Sequence, residues 1–431
     1  MPDDTDPTAS ARRGPKHARR VPRHRAPATP SPRARRLRGF GRVLAAVASV
    51  VVMGATAVGF YASAGLDNGF VRSSAISAED EKALDGDLNI LIIGLDSRKD
   101  FDGNDLSPDI LAALHAGDGD VGGYNANSLI LLHIPKDLSK ITAFSIPRDD
   151  YVAVSGIPGY SKVKIKEAYG LKKAAVEQNL MAQGVTDAVE LEHRGREAGR
   201  ASIVQTVRTL TGVPINRFAE ISLAGFYDLA NAVGGVEVCL NNAVDDSEYS
   251  GAKFPAGRQH LDGAQALAFV RQRHGLPNGD LDRTHRQQAF LMSVAKSLED
   301  SGTFTDLRKL TDLVGVAHKD MVLSTGWNLL DFAQVIAKAG AIPVEFRTLP
   351  VLRYDTINGQ DVNIVDPEAI KKEVRTAFGM DPVPDHEPST ATTPSSAVPT
   401  TSVAPGGTTE PTPSAGKPVI GAIGDGIPCV N

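Results

Sequence analysis

Three closely spaced arginines are the side chains of this 431-residue chain that most clearly point to chemistry. Arg271 and Arg273 end an apolar helical run, and Arg283 follows after a short loop. A guanidinium group grips phosphate oxygens through two parallel hydrogen bonds, so several of them at one helix end can bind a polyanion. By composition alone, however, a solvated basic face is the commoner explanation of such a cluster.

Two other segments place an acid beside an arginine where a strand is predicted to end. They are Asp96-Ser97-Arg98 and Ser145-Ile146-Pro147-Arg148-Asp149. Ligands of open α/β sheets bind at the carboxyl ends of the strands. An aspartate there can coordinate Mg²⁺ while the neighbouring arginine holds the phosphate that the metal bridges. Either segment alone is explained by an ordinary ion pair, but both together with the three arginines favour a phosphate site.

The elements that must position these residues alternate between strands and helices. An apolar run over 88–95 predicts a buried strand, and the runs 128–135 and 140–146 predict a strand pair compatible with a hairpin. The other predicted strands cover 218–221, 236–240 and 345–350, and the predicted helices cover 161–180, 201–211, 223–233, 264–271, 284–298, 329–339 and 367–378. Residues 190–200 are interpreted as a charged insertion. The pattern predicts an α/β fold in which a mixed central sheet is sandwiched by helices.

The two ends of the chain differ sharply in charge, although the net charge is only −5. Residues 1–42 contain twelve basic and three acidic residues, and the rest of the chain contains 34 basic and 48 acidic residues. The uncharged stretch 43–64 is long enough for a transmembrane helix, which needs about 20 residues. The arginines before it predict a cytoplasmic N-terminus and a single membrane pass. A cleaved signal peptide is disfavoured because its apolar core spans only ~7–15 residues.

These observations divide the chain into five parts. They are a basic, disordered cytoplasmic tail (1–42), a transmembrane helix (43–64), a juxtamembrane stalk (65–87), an extracytoplasmic domain (88–381) and a disordered Pro/Thr/Ser-rich tail (382–431), whose last residues could re-dock. Prolines interrupt the N-terminal arginines, so we interpret these arginines as topogenic charge and do not expect nucleic-acid binding.

Cys239 and Cys429 either pair in an oxidising exterior or leave Cys239 as a buried free thiol.

The chemistry-bearing segments together resemble the LytR-CpsA-Psr family. The matching motifs are Gly94-Leu95-Asp96-Ser97-Arg98, Ser145-Ile146-Pro147-Arg148-Asp149, Lys164-Ile165-Lys166-Glu167-Ala168-Tyr169, Gly234-Gly235-Val236-Glu237-Val238, Pro255-Ala256-Gly257, Leu261-Asp262-Gly263 and Val270-Arg271-Gln272-Arg273-His274, followed by Arg283 and Gln287. They occur in order from about Leu88 to Leu298 and are specific in combination. The predicted N-terminal anchor agrees with the topology of this family.

The resemblance implies a metal-dependent phosphotransferase of the cell wall. Such enzymes move a glycopolymer from a polyprenyl-pyrophosphate carrier to a peptidoglycan hydroxyl and release polyprenyl phosphate. Carried onto this sequence, the resemblance implies a pyrophosphate site formed by Arg98, Arg148, Lys164, Arg271, Arg273, Arg283 and Gln287. It also implies Mg²⁺ or Mn²⁺ at Asp96 and Asn127, and an apolar tunnel for the polyprenyl tail.

Arg148 and Asp149 are the predicted catalytic residues. Asp149 is a candidate general base for the attacking hydroxyl, and a role in orienting Arg148 explains it equally well. His274, beside Arg273, is interpreted as a histidine that packs within its loop.

One position departs from the family pattern. The family commonly has an Arg-Ser-Asp-Thr stretch at the start of its second strand, and its Asp is a second metal ligand. This chain has Asn125-Ala126-Asn127-Ser128 there, so Asn127 stands at the Asp position. A carboxamide oxygen can ligate a hard cation but adds no negative charge, and weaker metal affinity is expected.

The sequence leaves two other functions open. A hydrolase of polyprenyl pyrophosphates would use the same residues with water as the nucleophile. A non-catalytic accessory protein that binds lipid-linked polymers is favoured by Asn127 and disfavoured by the otherwise complete set of arginines. The identity of the polymer, the maturity of the acceptor and the oligomeric state are also left open.

The predicted topology can be tested with intact protoplasts. Protease added outside should digest the chain from Leu66 onward and spare the N-terminal tail, because the arginines before residue 43 fix that tail inside. Antibodies against the two ends of the chain identify the fragments. A domain that is protected from the protease would contradict the single-pass arrangement.

Overall fold

The computed structural model describes residues 69–82, 86–115, 123–277, 279–301, 306–339, 342–380, 419–422 and 427–431. The predicted cytoplasmic tail (1–42), the predicted transmembrane helix (43–64) and the Pro/Thr/Ser-rich stretch 382–418 lie outside these residues. Within the described ranges, no helix has the length and apolarity needed to cross a membrane.

The described residues form seventeen strands and ten helices. The strands are β1 (Val71–Ser73), β2 (Leu88–Asp96), β3 (Asn125–Ile134), β4 (Ile141–Ser145), β5 (Tyr151–Ala153), β6 (Lys162–Lys164), β7 (Arg217–Ser222), β8 (Val236–Leu240), β9 (Val244–Asp246), β10 (Ala252–Phe254), β11 (Gly257–Leu261), β12 (Met321–Ser324), β13 (Pro343–Thr348), β14 (Arg353–Ile357), β15 (Gln360–Ile364), β16 (Val419–Ala422) and β17 (Cys429–Val430). The helices are α1 (Ala78–Glu81), α2 (Pro108–Ala113), α3 (Glu167–Ala182), α4 (Ala188–Thr211), α5 (Leu223–Ala232), α6 (Gly263–Arg271), α7 (Asp280–Asp300), α8 (Leu307–Asp320), α9 (Leu329–Ala339) and α10 (Pro367–Ala377).

The central sheet has eight strands in the order β1-β12-β7-β2-β3-β4-β13-β16 and is mixed. Strand β2 pairs parallel with β7 and antiparallel with β3. Its side chains alternate between two buried faces, with Leu91 and Ile93 in one cluster and Ile90 in the other. A strand that is buried on both faces needs apolar residues at nearly every position, which explains the continuous apolar run over 88–95.

Helices cover both faces of this sheet, which confirms the predicted α/β sandwich. On one face, Ile203 of α4 and Ile370 of α10 are fully buried against the strands. On the opposite face, Val314 and Ala317 of α8 pack against the sheet. Full burial of an aliphatic side chain contributes about 1.5–3 kcal/mol relative to its exposed state, so both layers stabilise the sheet.

A third core joins α5, α6 and α7 to a small sheet with the order β11-β8-β17. Helix α6 begins at a capping box, in which Asp262 Oδ1 accepts from the backbone N–H of Gln265 and Gln265 Oε1 accepts from the backbone N–H of Asp262. The box satisfies donors that the first turn would otherwise leave unpaired. It thereby fixes the start of the helix that ends at Arg271.

The charged stretch 190–200 is helical, which corrects the expectation of an insertion. It is part of α4, which follows the N-cap residue Asp187. Arg196 Nε donates to Glu192 Oε1 at 2.6 Å, and Arg200 Nε donates to Glu220 Oε2 at 2.9 Å. Arg196 and Arg200 are therefore buried together with the carboxylates that pair with them. An apolar periodicity cannot report a helix face whose buried residues are charged.

Three further segments differ from the expectation and belong to strands. Lys162–Lys164 (β6), expected to begin a helix, pairs with β5. Val71–Ser73 (β1), expected in the stalk, pairs parallel with β12 at one edge of the central sheet. Val419–Ala422 (β16), expected in the disordered tail, pairs with β13 at the other edge. Runs of three or four residues carry too little periodicity to identify such strands from sequence.

The C-terminus docks on the small sheet and is held there by a disulfide. Strand β17 pairs parallel with β8, and Val430 lies in the third core. Cys239 and Cys429 are joined, with their Cα atoms 4.3 Å apart. Arg286 Nε also donates to the backbone oxygen of Asn431 at 2.5 Å. The structure thus contains the pairing that the sequence left open.

Loss of this disulfide should strongly lower the free energy of unfolding. The two cysteines are 190 residues apart, and the chain-entropy model gives about 5 kcal/mol for a loop of this size. Urea denaturation of the wild type and of a Cys239→Ser/Cys429→Ser variant measures the difference. Reductant should lower the stability of the wild type and leave the variant unchanged. Two free thiols in the unfolded, unreduced wild type would contradict the pairing.

Candidate active site

Asp96 ends strand β2 just beyond an irregularity in the pairing with β3. The register shifts between Gly94 and Leu95, and a bulge of this kind re-aims the side chains that follow it. Gly94 also approaches β3 closely, because a Cβ built there would lie 2.9 Å from the Cβ of Ser128. The strand pair in this way brings Asp96 next to Asn127.

Hydrogen bonds connect Asp96, Asn127 and Arg148 in a row. Asn127 Nδ2 donates to Asp96 Oδ2 at 2.7 Å, and Arg148 Nη1 donates to Asn127 Oδ1 at 2.7 Å. The neighbours determine the orientation of the amide, since a reversed amide would place its oxygen against the carboxylate and its NH₂ against the guanidinium. Asn127 therefore bridges an anion and a cation without adding charge.

Arg148 and Arg283 share the carboxylate of Asp280. Arg283 Nη2 lies 2.5 Å from Asp280 Oδ1, and Arg148 Nε lies 3.6 Å from the same atom. Burial is the main reason that the pKa of Arg283 is lowered to about 10, and nearby Arg148 and Arg273 lower it further against Asp280. A lowered arginine pKa means that the surroundings of the guanidinium group do not fully compensate its positive charge. A bound anion would compensate it.

Asp149 contacts three basic side chains. Lys166 Nζ lies 2.6 Å and Lys164 Nζ 3.8 Å from its Oδ1, and Arg148 Nε lies 3.4 Å from its Oδ2. Burial would raise the pKa of Asp149, but these cations outweigh burial and hold the pKa below its ordinary value. Because basic side chains contact both carboxylate oxygens, the geometry favours orientation of Arg148 over general-base catalysis.

Arg271 and Arg273 come from the end of α6 and the loop after it. Arg271 Nη1 donates to the backbone oxygen of Leu114 at 2.7 Å. Burial lowers the pKa of Arg271, Asp96 opposes the shift and Arg98 adds to it. Among the described residues Arg273 makes no ion pair, so its guanidinium group is available to a ligand.

A cavity of about 510 Å³ opens between the central sheet and helices α5, α6 and α7. Its lining has two chemically different parts. The polar part contains Asp96, Arg98, Asn127, Arg271, Arg273, Arg283 and Gln287. The apolar part includes Ala219, Ile221, Phe226, Leu229, Phe290 and Val294. A ligand with an anionic head and an apolar tail fits such a cavity.

The structure places all ten predicted site residues in one region, in two adjoining groups. Seven of them form the polar part of the cavity described above. The other three, Arg148, Asp149 and Lys164, lie beside it, and Asn127 connects the two groups through Arg148. Their proximity is a property of the fold, whereas their roles stay predictions.

Two residues of this region were not identified from the sequence. Lys166 pairs with Asp149, and Asp280 pairs with Arg283. The sequence carries a signal for each. Lys166 lies two residues after Lys164, which places both on the same side of an extended segment. Asp280 lies three residues before Arg283, which is the spacing of an ion pair on a helix.

The model of the LytR_cpsA_psr family matches residues 64–377. This chain belongs to the LytR-CpsA-Psr family. The match confirms the resemblance and extends it at both ends, beyond the stretch 88–298 that carries the motifs. It includes β1 and α10, in agreement with the structure, which makes both elements part of the domain.

Two curated relatives are similar to large parts of this chain. The cell wall biosynthesis protein LcpA of Corynebacterium glutamicum is 39% identical over 353 residues, which cover 80% of this chain and 67% of LcpA. The polyisoprenyl-teichoic acid–peptidoglycan teichoic acid transferase TagU of Oceanobacillus iheyensis is 31% identical over 228 residues, which cover 53% of this chain and 57% of TagU. The chain thus spans about two thirds of the length of LcpA and less of TagU.

A crystal structure of a Streptococcus agalactiae protein supports the fold. It has a TM-score of 0.52 to this chain at 20% sequence identity, and the match covers 72% of this chain and 92% of that chain. At this level of identity the likeness concerns the fold alone.

Asp96 offers one ligand to the divalent cation that the family resemblance implies. Its Oδ1 is buried and accepts no hydrogen bond from a described residue, although Arg98 Nη1 lies 3.5 Å away. Asn127 turns its NH₂ and not its oxygen toward Asp96, so it does not present the second ligand that the sequence predicts. In the part of the chain that the structure describes, no group of three His, Cys, Asp or Glu could hold a metal. The residues fit a cation held by Asp96 and by phosphate oxygens of a ligand, a usual arrangement for Mg²⁺.

Replacing Asn127 by aspartate should strengthen the binding of Mn²⁺ in the presence of a pyrophosphate ligand. A second carboxylate beside Asp96 adds both charge and a ligand, and we expect the Kd to fall by about tenfold or more. Titration of Mn²⁺ followed by electron paramagnetic resonance measures this. Asn179→Asp, at an exposed position of α3, is the matched control and should leave the Kd unchanged. An unchanged Kd in Asn127→Asp would contradict a cation site at Asp96.

Proposed function

We propose that this chain is a phosphotransferase that moves a glycopolymer from a polyprenyl-pyrophosphate carrier to a peptidoglycan hydroxyl. The observation that carries the proposal is the cavity, in which a cationic part directly adjoins an apolar part. A polyprenyl pyrophosphate has the matching chemistry, an anionic head on a long apolar tail. The names of LcpA and TagU support the assignment to cell-wall synthesis.

The polar part of the cavity and the group beside it carry net positive charge. Seven basic side chains lie there: Arg98, Arg148, Lys164, Lys166, Arg271, Arg273 and Arg283. Three carboxylates ion-pair with members of this set: Asp96, Asp149 and Asp280. Four positive charges are left over, or three when the carboxylate of Asp246, which also lines the cavity, is counted, and this excess suits a ligand with more than one negative charge. Guanidinium groups also match the oxygen spacing of phosphates better than ammonium groups do.

The proposed reaction is an in-line displacement at the phosphorus that bears the glycan. The oxygen of the acceptor hydroxyl bonds to that phosphorus, and the bond from phosphorus to the bridging oxygen breaks. Polyprenyl phosphate leaves with the electron pair of that bond, and the hydroxyl proton passes to a base. Phosphoryl transfer depends mainly on positioning and charge neutralisation. Arg271, Arg273 and Arg283 are proposed to supply both at the pyrophosphate oxygens, together with Arg98 and Gln287.

Arg148 is proposed to stabilise the transferred phosphoryl group, with Asp149 as its positioning partner. Asp149 would have to lose its contact with Lys166 before it could accept the hydroxyl proton, so general-base catalysis is the less favoured of its two predicted roles. Lys164 is proposed to contribute positive charge beside the phosphoryl group.

Mg²⁺ or Mn²⁺ is proposed to bind at Asp96 together with phosphate oxygens of the donor. The bound cation would add positive charge at the pyrophosphate and help to fix its oxygens. Asn127 is proposed to hold Asp96 and Arg148 in place for this arrangement.

The proposal includes a single membrane anchor over 43–64 with the N-terminus in the cytoplasm, and its support is the sequence alone. That topology would place the described domain on the outer face of the cell membrane. Both a membrane-borne donor and the peptidoglycan acceptor are accessible there.

Replacing Arg271, Arg273 or Arg283 by alanine should lower transfer activity by roughly 30- to 150-fold each. Each change removes charged hydrogen bonds worth about 2–3 kcal/mol. Arg271→Lys should restore only part of the activity, because an ammonium group cannot make the planar two-bond contact. Activity is measured with a lipid-pyrophosphate-linked glycan and a peptidoglycan oligomer at a series of Mg²⁺ concentrations.

Arg194→Ala is the matched control, because Arg194 is exposed on α4 and pairs there with Glu190. It should keep full activity.

Product analysis separates the alternatives: a hydrolase would release the glycan phosphate equally well without the peptidoglycan acceptor, and an accessory protein would retain lipid without turnover at any Mg²⁺ concentration. Full activity in the triple arginine variant would rule the proposal out.

A further inference from the structure

The turn between β9 and β10 carries an exposed aromatic side chain at the cavity. Tyr249 lines the cavity and is nevertheless 63% exposed, which places it at the opening. Its ring contacts the imidazole of His274, with ring centroids 3.9 Å apart and ring planes tilted by 38°. Exposed aromatic surface beside a cavity is the kind of surface that ligands cover.

Buried polar groups hold this aromatic pair in place. His274 Nδ1 lies 3.2 Å from Asp246 Oδ1, and Ser250 Oγ donates to Asp246 Oδ2 at 2.7 Å. Asp246 is 4% exposed, and its backbone oxygen accepts from the backbone N–H of Tyr249 at 3.2 Å. One buried carboxylate thus supports both the turn that carries Tyr249 and the imidazole that contacts it. The prediction that His274 packs within its loop agrees with these contacts.

The aromatic pair lies next to the arginines of the site. His274 directly follows Arg273 in the chain. Gln272 Nε2 donates to the backbone oxygen of His274 at 3.0 Å, and Arg286 Nη1 donates to Gln272 Oε1 at 2.5 Å. The segment that carries Arg273 and His274 is therefore fixed from inside the domain. A ligand bound to Arg273 would continue outward beside Tyr249.

We propose that Tyr249 is a sugar-binding residue, whose ring stacks on the first sugar of the glycopolymer, and that His274 positions this ring. The inference rests on the proposed function. In the donor, the tail, the pyrophosphate and the glycan follow one another. With the tail in the apolar part and the pyrophosphate at the arginines, the glycan leaves through the opening at which Tyr249 lies. Aromatic rings bury the C–H face of a sugar at a low cost in conformational entropy.

The test compares two ligands of the full chain in detergent: polyprenyl pyrophosphate, and the same lipid linked to N-acetylglucosamine. Tyr249→Ala should raise the Kd for the glycosylated lipid by roughly tenfold. The Kd for the sugar-free lipid should change by less than about twofold, since the contacts to pyrophosphate and tail are kept. Tyr249→Phe should bind both lipids like the wild type, because stacking does not use the hydroxyl group. His274→Ala should weaken binding of the glycosylated lipid in the same selective way, but by less.

Tyr354→Ala is the matched control, since Tyr354 is 57% exposed and lies on β14, outside the cavity lining. It should bind both lipids like the wild type. A Tyr249→Ala variant with unchanged affinity for both lipids would overturn the inference. An equal loss on both lipids would overturn it as well, because Tyr249 would then support the arginines or anchor the lipid. A wild type that binds neither lipid would refute the proposed function and the inference together, whereas the first two outcomes leave the proposed function intact.

Discussion

Crowded positive charge at the end of the central sheet constrains the whole candidate site. Arg148 and Arg283 share one carboxylate, that of Asp280, and Arg283 is 4% exposed. Like charges repel more strongly in a partly dehydrated site than in water, and each buried charge also loses hydration free energy. The carboxylates in contact with the basic residues offset only part of these costs. We propose that an anionic ligand offsets the rest.

In a second cluster of buried arginines, carboxylates compensate the positive charge. On the opposite face of the sheet, Arg196 and Arg200 are matched by Glu192 and Glu220. Burial would lower the pKa of Arg200, but Glu220, Tyr169 and Glu197 together outweigh burial and raise this pKa above its ordinary value. Arg196 Nη2 also donates at 2.6 Å to the backbone oxygen of Asp100, in the loop that carries Arg98. The cluster of Arg196 and Arg200 is structural, and it contacts the loop that carries Arg98. The positive charge that is not compensated faces the cavity.

The sequence allows part of this description to be predicted, and physical reasons limit the rest. The run 88–95 is apolar at nearly every position because β2 is buried on both faces, so the sequence predicts it as a strand. The sequence does not predict the charged half of α4 as a helix, because Arg196 and Arg200 are buried in ion pairs and leave no apolar periodicity. Residue types identified the arginines of the site. Tertiary packing, which a single sequence does not define, determines the rest. It sets the contacts of these arginines with Asp280, the orientation of the Asn127 amide and the cavity between the central sheet and three helices.

The proposed function requires that the cavity bind a polyprenyl pyrophosphate through its arginines. Mass spectrometry can identify the lipid that the full chain retains after purification in mild detergent. We expect a polyprenyl pyrophosphate, with or without a glycan, on the wild type, and its loss from the Arg271→Ala/Arg273→Ala/Arg283→Ala variant. Ordinary phospholipid alone on the wild type, even after polyprenyl pyrophosphate has been added, would show that the cavity does not bind this carrier.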